Sequence, residues 1–279
     1  MAQLPQEFLT RMQEMLGDEF DAFLTSYDAP RTAGLRVNTK KCRTEDFPPL
    51  VPGTWKKIPW IPNGYFVPDG MRMGQSPLYA AGVFYLQEPS AMTPASRLPI
   101  EPGERVLDLC AAPGGKTFTM AELMNDSGKI ISCDIHPHRV ELIKNGAKRL
   151  TLTNIQCVVN DASIYNNKIG TVDKVLCDVP CSGFGIIRRK PEIRYKELDS
   201  VKDLPDIQYN ILSVSSKYLK KDGLIVYSTC TLNKKENEKV VKRFLDNNDN
   251  FKLIKEKTAF PSENSGDGFY YAVMTRNND

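Results

Sequence analysis

Apolar residues recur along this chain with two different rhythms, and the change comes near residue 102. Before it, Phe8, Met12, Met15 and Leu16, then Phe20, Phe23 and Leu24, follow each other at helical spacing, which predicts two short amphipathic helices around Gly17. Turn signals then cut the chain at Asp28-Ala-Pro30, Phe47-Pro-Pro49, Val51-Pro-Gly53, Ile61-Pro-Asn-Gly64 and Pro68-Asp-Gly70, so only brief elements fit between them. Segments 35–38 and 64–67 read as short strands, and 80–84 and 89–96 as helical turns. From Gly103, short buried runs at 105–109, 129–134, 155–160, 173–178 and 223–229 alternate with helical windows near 116–124, 137–150, 204–220 and 234–247. That alternation predicts a mostly parallel α/β sheet covered on both faces. No helix separates 251–257 from 268–275, which predicts an antiparallel hairpin at the sheet edge. Residues 1–102 are expected to form a small α+β unit, and 103–279 the larger α/β unit.

Composition narrows the class. The 279 residues are 41% hydrophobic and 25% charged, ordinary values for a folded protein. The longest apolar runs, such as 130–133 and 224–227, fall far short of the roughly 20 residues of a membrane-spanning helix. The N-terminus is amphipathic and contains acids, with neither the apolar core of a secretion signal nor an Arg/Ser-rich transit composition, so a cytoplasmic protein is expected. Seven cysteines, an odd number scattered through strand-like runs, argue for free thiols. A formal charge of +3 permits a nucleic-acid partner without implying one.

The sharpest local signal is Val106-Leu-Asp-Leu-Cys-Ala-Ala-Pro-Gly-Gly-Lys-Thr117, where a strand runs into small residues and a helix begins near Lys116. In an open α/β sheet, ligands sit beyond the carboxyl ends of the strands where the strand order reverses. A phosphate-binding P-loop would need glycine where Cys110 stands, and a dinucleotide fingerprint needs three spaced glycines where only Gly114 and Gly115 occur. What remains suits a nucleoside without polyphosphate, of which S-adenosylmethionine is the commonest. Asp134 at the end of the second strand is placed as a ribose-hydroxyl acceptor would be. Asn160 and Asp161 after the third strand offer an amide or carboxylate to the adenine amine, although helix capping is the plainer use of such acids.

Two further strand ends carry cysteines, in Leu176-Cys-Asp-Val-Pro-Cys-Ser-Gly183 and Tyr227-Ser-Thr-Cys-Thr231. Cys42, Cys110, Cys133, Cys157 and Cys177 read as small buried hydrophobes, whereas Cys181 and Cys230 lie in polar turns. There is no Cys-x-x-Cys, and His136 and His138 share one loop, so a zinc site is not expected and a hydrolase would lack its base.

In this order, Asp108-Leu-Cys-Ala-Ala-Pro-Gly-Gly-Lys-Thr117, Asp178-Val-Pro-Cys-Ser-Gly183 and Ser228-Thr-Cys230 resemble the motifs of RNA cytosine-5 methyltransferases. That family includes bacterial 16S ribosomal RNA enzymes and the eukaryotic NOL1/NOP2/Sun proteins. Gln87-Glu-Pro-Ser-Ala-Met92 and Arg188-Arg-Lys-Pro191 resemble further family stretches, and the likeness covers nearly all of residues 30–275. It implies a Rossmann-like class I methyltransferase sheet behind a small RRM-like, RNA-binding N-terminal domain. It also implies S-adenosylmethionine held by Cys110, Ala111, Ala112, Pro113, Gly114, Gly115, Lys116, Asp134, Arg139, Asp161 and Asp178. Neither the C-terminal RNA-binding extension of some relatives nor the long N-terminal helical domain of others is expected here, and a monomer is expected.

Carbon 5 of cytosine is a poor nucleophile until a thiolate adds to carbon 6 and makes it enamine-like. The resemblance implies that Cys230 attacks and that Cys181 assists proton removal and release. Asp178 would hydrogen-bond the cytosine near N3 and the 4-amino group. Lys116 and the positive end of its helix would lower a nearby thiol pKa. Arg188, Arg189 and Lys190 are expected to hold RNA phosphates, with Arg194, Lys196, Lys234 and Lys235 close to the thiols in sequence. Trp55, Trp60, Tyr65 and Phe66 read as small-domain core rather than as base-stacking rings. The expected substrate is an unpaired or flipped cytosine of small-subunit ribosomal RNA. The alternatives are transfer RNA as substrate and a non-catalytic RNA-binding assembly factor.

Overall fold

The computed structural model describes residues 4–27, 31–261 and 266–277, so the turn read at Asp28-Ala-Pro30 lies outside the described residues. Helices α1 (Gln6–Leu16) and α2 (Phe20–Thr25) flank Gly17 and bury Phe8, Met12, Leu16 and Phe23. After them come β1 (Gly34–Val37), α3 (Phe47–Leu50), β2 (Lys56–Lys57), β3 (Gly64–Phe66), α4 (Pro77–Ala80), β4 (Phe84–Leu86) and α5 (Thr93–Arg97). The four strands make an antiparallel sheet in the order β2-β3-β1-β4, with helical turns after β1 and β3. This is the strand-helix-strand-strand-helix-strand plan of an RRM-like unit.

Two short segments depart from the local reading. The helix expected at 80–84 lies at Pro77–Ala80, where Pro77 presets φ and the Ser76 hydroxyl accepts from the Leu78 N–H at 3.2 Å. Residues 84–86 are a strand because their backbone pairs with β1, Leu35 opposite Leu86 and Val37 opposite Phe84. Three residues are too few for a periodic signal, and pairing between distant segments decides them. The segment 89–96 becomes a 3-10 turn followed by α5. The aromatic side chains fill the core as expected. Phe47 lies 5.2 Å from Trp55 and 6.0 Å from Tyr65 between ring centres, and Trp60 stands edge-on to Phe66 while its indole N–H donates to the Pro89 carbonyl.

The larger sheet contains β5 (Arg105–Asp108), α6 (Gly115–Leu123), β6 (Lys129–Asp134), α7 (Pro137–Leu150), β7 (Ile155–Val159), β8 (Val172–Asp178), α8 (Leu204–Ser216), β9 (Leu219–Thr229), α9 (Glu238–Asp246), β10 (Phe251–Ala259) and β11 (Phe269–Arg276). Its order is β10-β11-β9-β8-β5-β6-β7. The five strands from β9 to β7 are parallel, and the terminal hairpin adds β11 antiparallel to β9, with β10 at the edge. Strand order reverses between β5 and β8, as in a Rossmann-like fold. The apolar runs that predicted these strands bury Leu107, Ile131, Val175 and Ile225 completely or nearly so. At about 25 cal/mol per Å² of apolar surface, such side chains contribute roughly 1.5–3 kcal/mol each toward the sheet's cover.

The N-terminal residues reach the larger sheet in two ways. Phe8, Met12, Leu16 and Phe23 pack not on the small sheet but on Phe184, Ile186, Ile187, Ile193 and Leu232, in the loops that follow β8 and β9. From the small sheet, Arg36 of β1 is fully buried and pairs with Glu122 of α6 at 3.1 Å. The same guanidinium donates to the Gly115 carbonyl at 3.1 Å and to the Gln87 side chain. A buried ion pair costs desolvation, so its worth here lies in geometry: with the Gly115 contact it fixes β1 against α6, at Gly115 in the first turn and Glu122 in the last.

Candidate active site

A cavity of about 530 Å³ opens at the carboxyl ends of β5, β8 and β9. Ala111, Ala112, Pro113, Gly115 and Lys116 line one side, Asp178, Cys230 and Phe269 another, and Gly34, Gln87 and Glu88 of the N-terminal unit close it. The turn after β5 is tight because Gly114 takes a φ of 104° that L side chains rarely adopt. A Cβ on Gly115 would come within 3.1 Å of both Gln87 and Tyr85. Asp108, at the end of β5, accepts from the Thr117 hydroxyl at 2.6 Å, while its Oδ1 is buried with no partner. Burial pushes its carboxyl up to about 7, against the Thr117 hydrogen bond.

The expected cofactor residues separate into two groups. Ala111, Ala112, Pro113, Gly115, Lys116 and Asp178 line the cavity. Cys110 packs against the core beside the turn, where burial raises its thiol pKa, and Gly114 shapes the turn from behind. Asp134 accepts from the Ala112 and His136 N–H groups, at 3.4 and 3.1 Å, and pairs with Arg139 at 3.4 Å, while Arg139 also donates to the Ala112 carbonyl. These two side chains brace the turn at the next strand end. Asp161 accepts from the N–H and hydroxyl of Ser163 at 2.8 and 2.6 Å in a local turn that caps no helix, and it is not among the residues that line the cavity.

The two thiols meet. Register pairs Asp178 of β8 with Ser228 of β9, so the loops leaving both strands start side by side, and Cys181 Sγ lies 3.2 Å from Cys230 Sγ. Cys230 is held below the ordinary thiol range, first by the hydrogen bond from Cys181. Burial and Asp178 oppose this, while Lys116 and Arg189 support it. Cys181 is pushed well above that range by the same contact and by burial. Burial raises Cys42 and Cys157 and takes Cys133 and Cys177 to about 12, as inert packing thiols require. Lys116 Nζ sits 2.7 Å from Asp178 Oδ2, and Ser228 donates to Asp178 Oδ1 at 2.7 Å. Burial alone would lower the Lys116 pKa, but the Asp178 carboxylate outweighs it and the net shift is upward.

One expected RNA contact is turned inward. The Arg188 side chain is 6% exposed, donates to the Gly266 carbonyl at 2.5 Å and faces Asp267 at 3.7 Å. The loop after β8 folds against the approach to β11, so the Arg188 side chain points at Asp267 and away from solvent, unlike the solvent-facing phosphate contact expected from the sequence, while its Nε and Nη1 stay buried without a partner. Arg189 shares Asp267 at 2.9 Å but stays 41% exposed at the cavity wall, and Lys190 is exposed.

The sequence reading missed Glu236, which ties the two cysteine loops together, and Asn237, which holds the Cys230 loop in shape. Buried Glu236 accepts from the Ser182 N–H at 2.8 Å and from the Asn233 side chain at 2.9 Å. Asn237 accepts from the Thr229 hydroxyl at 2.6 Å and donates to the Thr231 carbonyl at 3.0 Å. The signal was a polar run, Asn233-Lys-Lys-Glu-Asn237, directly after a cysteine-bearing strand end; its lysines drew attention to solvent instead.

Comparison with known proteins agrees with this geometry. Residues 95–275 match the family described as 16S rRNA methyltransferase RsmB/F, and residues 4–89 match the N-terminal domain of 16S rRNA methyltransferase RsmF. Ribosomal RNA small subunit methyltransferase F of Enterobacter sp. (strain 638) is 34% identical over 249 residues, 85% of this chain and 52% of that protein. A probable ribosomal RNA small subunit methyltransferase B of Bacillus subtilis (strain 168) is 43% identical over 175 residues, 61% of this chain and 39% of that one. The chain thus spans about half the length, or less, of these curated relatives. The crystal structure of a methyltransferase homolog protein from Pyrococcus horikoshii superimposes with a TM-score of 0.87 at 26% identity, covering 98% of this chain and 95% of that one. With its sequence matched over both parts and its cavity built at the strand ends that carry the shared motifs, this chain belongs to the RsmB/F family of 16S rRNA methyltransferases.

Proposed function

We propose that the chain transfers a methyl group from S-adenosylmethionine to carbon 5 of a cytosine in 16S ribosomal RNA, through a thioether at Cys230. The observation that carries this reading is the 3.2 Å contact between Cys181 and Cys230 at a cavity that also holds the Lys116–Asp178 pair. The turn after β5 fits a nucleoside cofactor, since a side chain at Gly115 would crowd Gln87 and Tyr85 at the cavity wall and the buried Asp108 Oδ1 lacks a partner. Ala111, Ala112, Pro113, Gly115 and Lys116 would hold it, with Asp134 and Arg139 bracing the turn. When bound, the cofactor supplies an electrophilic methyl group on sulfur.

The chain's own residues do the rest. The Cys230 thiolate adds to carbon 6 of the cytosine, and negative charge develops on the ring. Asp178, hydrogen-bonded by Ser228 and paired with Lys116, accepts from the 4-amino group, and the Lys116 ammonium beside it offsets the charge that develops toward N3. Carbon 5, now enamine-like, takes the methyl group. The proton on carbon 5 then passes to water in the cavity, the carbon–sulfur bond breaks and the thiolate returns, a stage that Cys181 assists by donating its S–H to the departing sulfur. Arg189 and Lys190 hold flanking phosphates, and the base is unpaired or flipped so that carbon 6 can reach the sulfur. In this reading residues 1–102 form the RNA-binding unit and 103–279 the catalytic unit of a cytoplasmic monomer.

The test is methyl transfer from labelled cofactor to total RNA, followed by sequencing for 5-methylcytosine. Wild-type protein should mark 16S ribosomal RNA and Cys230→Ala should not. Equal incorporation by both proteins would remove Cys230 as nucleophile, and marks confined to transfer RNA would replace the substrate.

A further inference from the structure

Two sulfurs in contact are nearly equivalent by themselves, so the proton they share goes to the side that the surrounding charges favour. We propose that Glu236, which the reaction above does not use, is a positioning residue for that proton: its buried negative charge keeps Cys181 a thiol and leaves the thiolate on Cys230. The inference rests on the reading of Cys230 as nucleophile.

The charges are arranged unequally. Toward Cys230 face Lys116 from α6 and Arg189 from the loop after β8. Asp178 opposes them, but at 2.7 Å from Lys116 much of its field is cancelled. Beside Cys181 stands Glu236, completely buried after β9. Its Oε2 accepts from the Ser182 N–H at 2.8 Å and from the Gln208 amide of α8 at 3.0 Å, and its Oε1 accepts from the Asn233 amide at 2.9 Å. Both oxygens act only as acceptors, as in a carboxylate, and all three donors are neutral. Among the described residues no lysine or arginine pairs with it. Lys196 also reaches the Cys181 loop, but its ammonium donates to the Ser182 carbonyl at 2.9 Å. Repulsion from Glu236 adds to the contact and the burial that raise the Cys181 pKa. The polarity has a use, because Cys230 lines the cavity and its sulfur is the one a base in that cavity can meet.

The experiment needs no turnover. Purified protein is treated briefly with iodoacetamide at pH 7, and the modified peptides are counted by mass spectrometry. Wild type should react at Cys230 before Cys181. In Glu236→Gln the Cys230 preference should fall roughly tenfold, since about one pKa unit is the order by which a neighbouring like charge moves a buried thiol. Gln208→Ala, which removes one donor and keeps the charge, should retain the wild-type preference. An unchanged preference in Glu236→Gln, or an equal collapse in Gln208→Ala, overturns the proposal. Should Glu236→Gln fail to fold, thiolate absorbance at neutral pH decides. Its loss in Cys230→Ala supports the assignment, and its loss in Cys181→Ala with persistence in Cys230→Ala defeats it. A protein that alkylates as expected but methylates no RNA would end the methyltransferase reading and leave this one standing.

Discussion

Replacing Cys181 with alanine removes the S–H that donates to Cys230 across 3.2 Å, the largest influence holding that thiol low. A hydrogen bond to a charged acceptor is worth about 1.5–3 kcal/mol, equivalent to roughly 1–2 pKa units. The Cys230 pKa should rise by that amount, so the acid limb of the single-turnover rate profile, where the rate climbs as the thiolate forms, shifts up by the same interval. At a pH below both the old and the new pKa, the thiolate population falls roughly 10- to 100-fold. A more basic thiolate is also a better nucleophile, with a sensitivity of about 0.4–0.5, so the net slowing of attack is only about 3- to 10-fold. Release should suffer more, since Cys181 is assigned to the stage after methyl transfer. The assay is a single turnover with end-labelled RNA between pH 6 and 9, resolved on denaturing gels that separate free RNA from the protein–RNA adduct. The variant should accumulate adduct while methylation slows modestly. An unshifted pH profile would mean that the sulfur contact does not govern Cys230, and intact methylation without adduct would return Cys181 to a packing role.

Three other outcomes follow from the same geometry. Arg36→Met leaves the Glu122 charge buried and unpaired, so denaturant unfolding should show a loss of about 3–5 kcal/mol, largely recovered in the Arg36→Met/Glu122→Met double variant; equal losses in both would mean that the pair is not coupled. Arg189→Ala and Lys190→Ala should each reduce the salt dependence of RNA binding by about one phosphate contact, whereas Arg188→Ala, bound to Asp267, should lower thermal stability and leave the salt slope unchanged. The Asp108 carboxyl is about 7 in the folded protein against an ordinary 3.8, so its protonated form favours folding. That contribution, of order 4 kcal/mol, is fully present below about pH 4 and is lost as pH rises through about 7; Asp108→Asn should flatten the fall in melting temperature across this window, and an unchanged slope would mean that the carboxyl is not the titrating group.

The order and type of the larger elements were legible in the chain because each is fixed by a local rhythm. Apolar runs of five to seven residues between helical windows predicted β5 to β9. The missing helix gave the terminal hairpin, and two glycines without a third gave a turn that cannot cradle a polyphosphate. Cys181 and Cys230 could be singled out because each lies in a polar turn just beyond an apolar run.

Other features are settled by segments far apart in sequence, where no periodicity reaches. β4 is a strand because β1 lies beside it, and Arg36 is buried because α6 supplies Glu122. α1 and α2 cover the cysteine loops rather than the small sheet, Arg188 turns inward because Asp267 meets it, and Glu236 joins two loops whose neighbourhood depends on the β8–β9 pairing. The sequence by itself determined which residues sit at strand ends, since local burial and backbone preference act over a few positions. Which strand ends adjoin, and hence that two sulfurs touch and one is driven toward thiolate, was decided by tertiary packing, because hydrogen bonds and charges act through space between residues 49 positions apart.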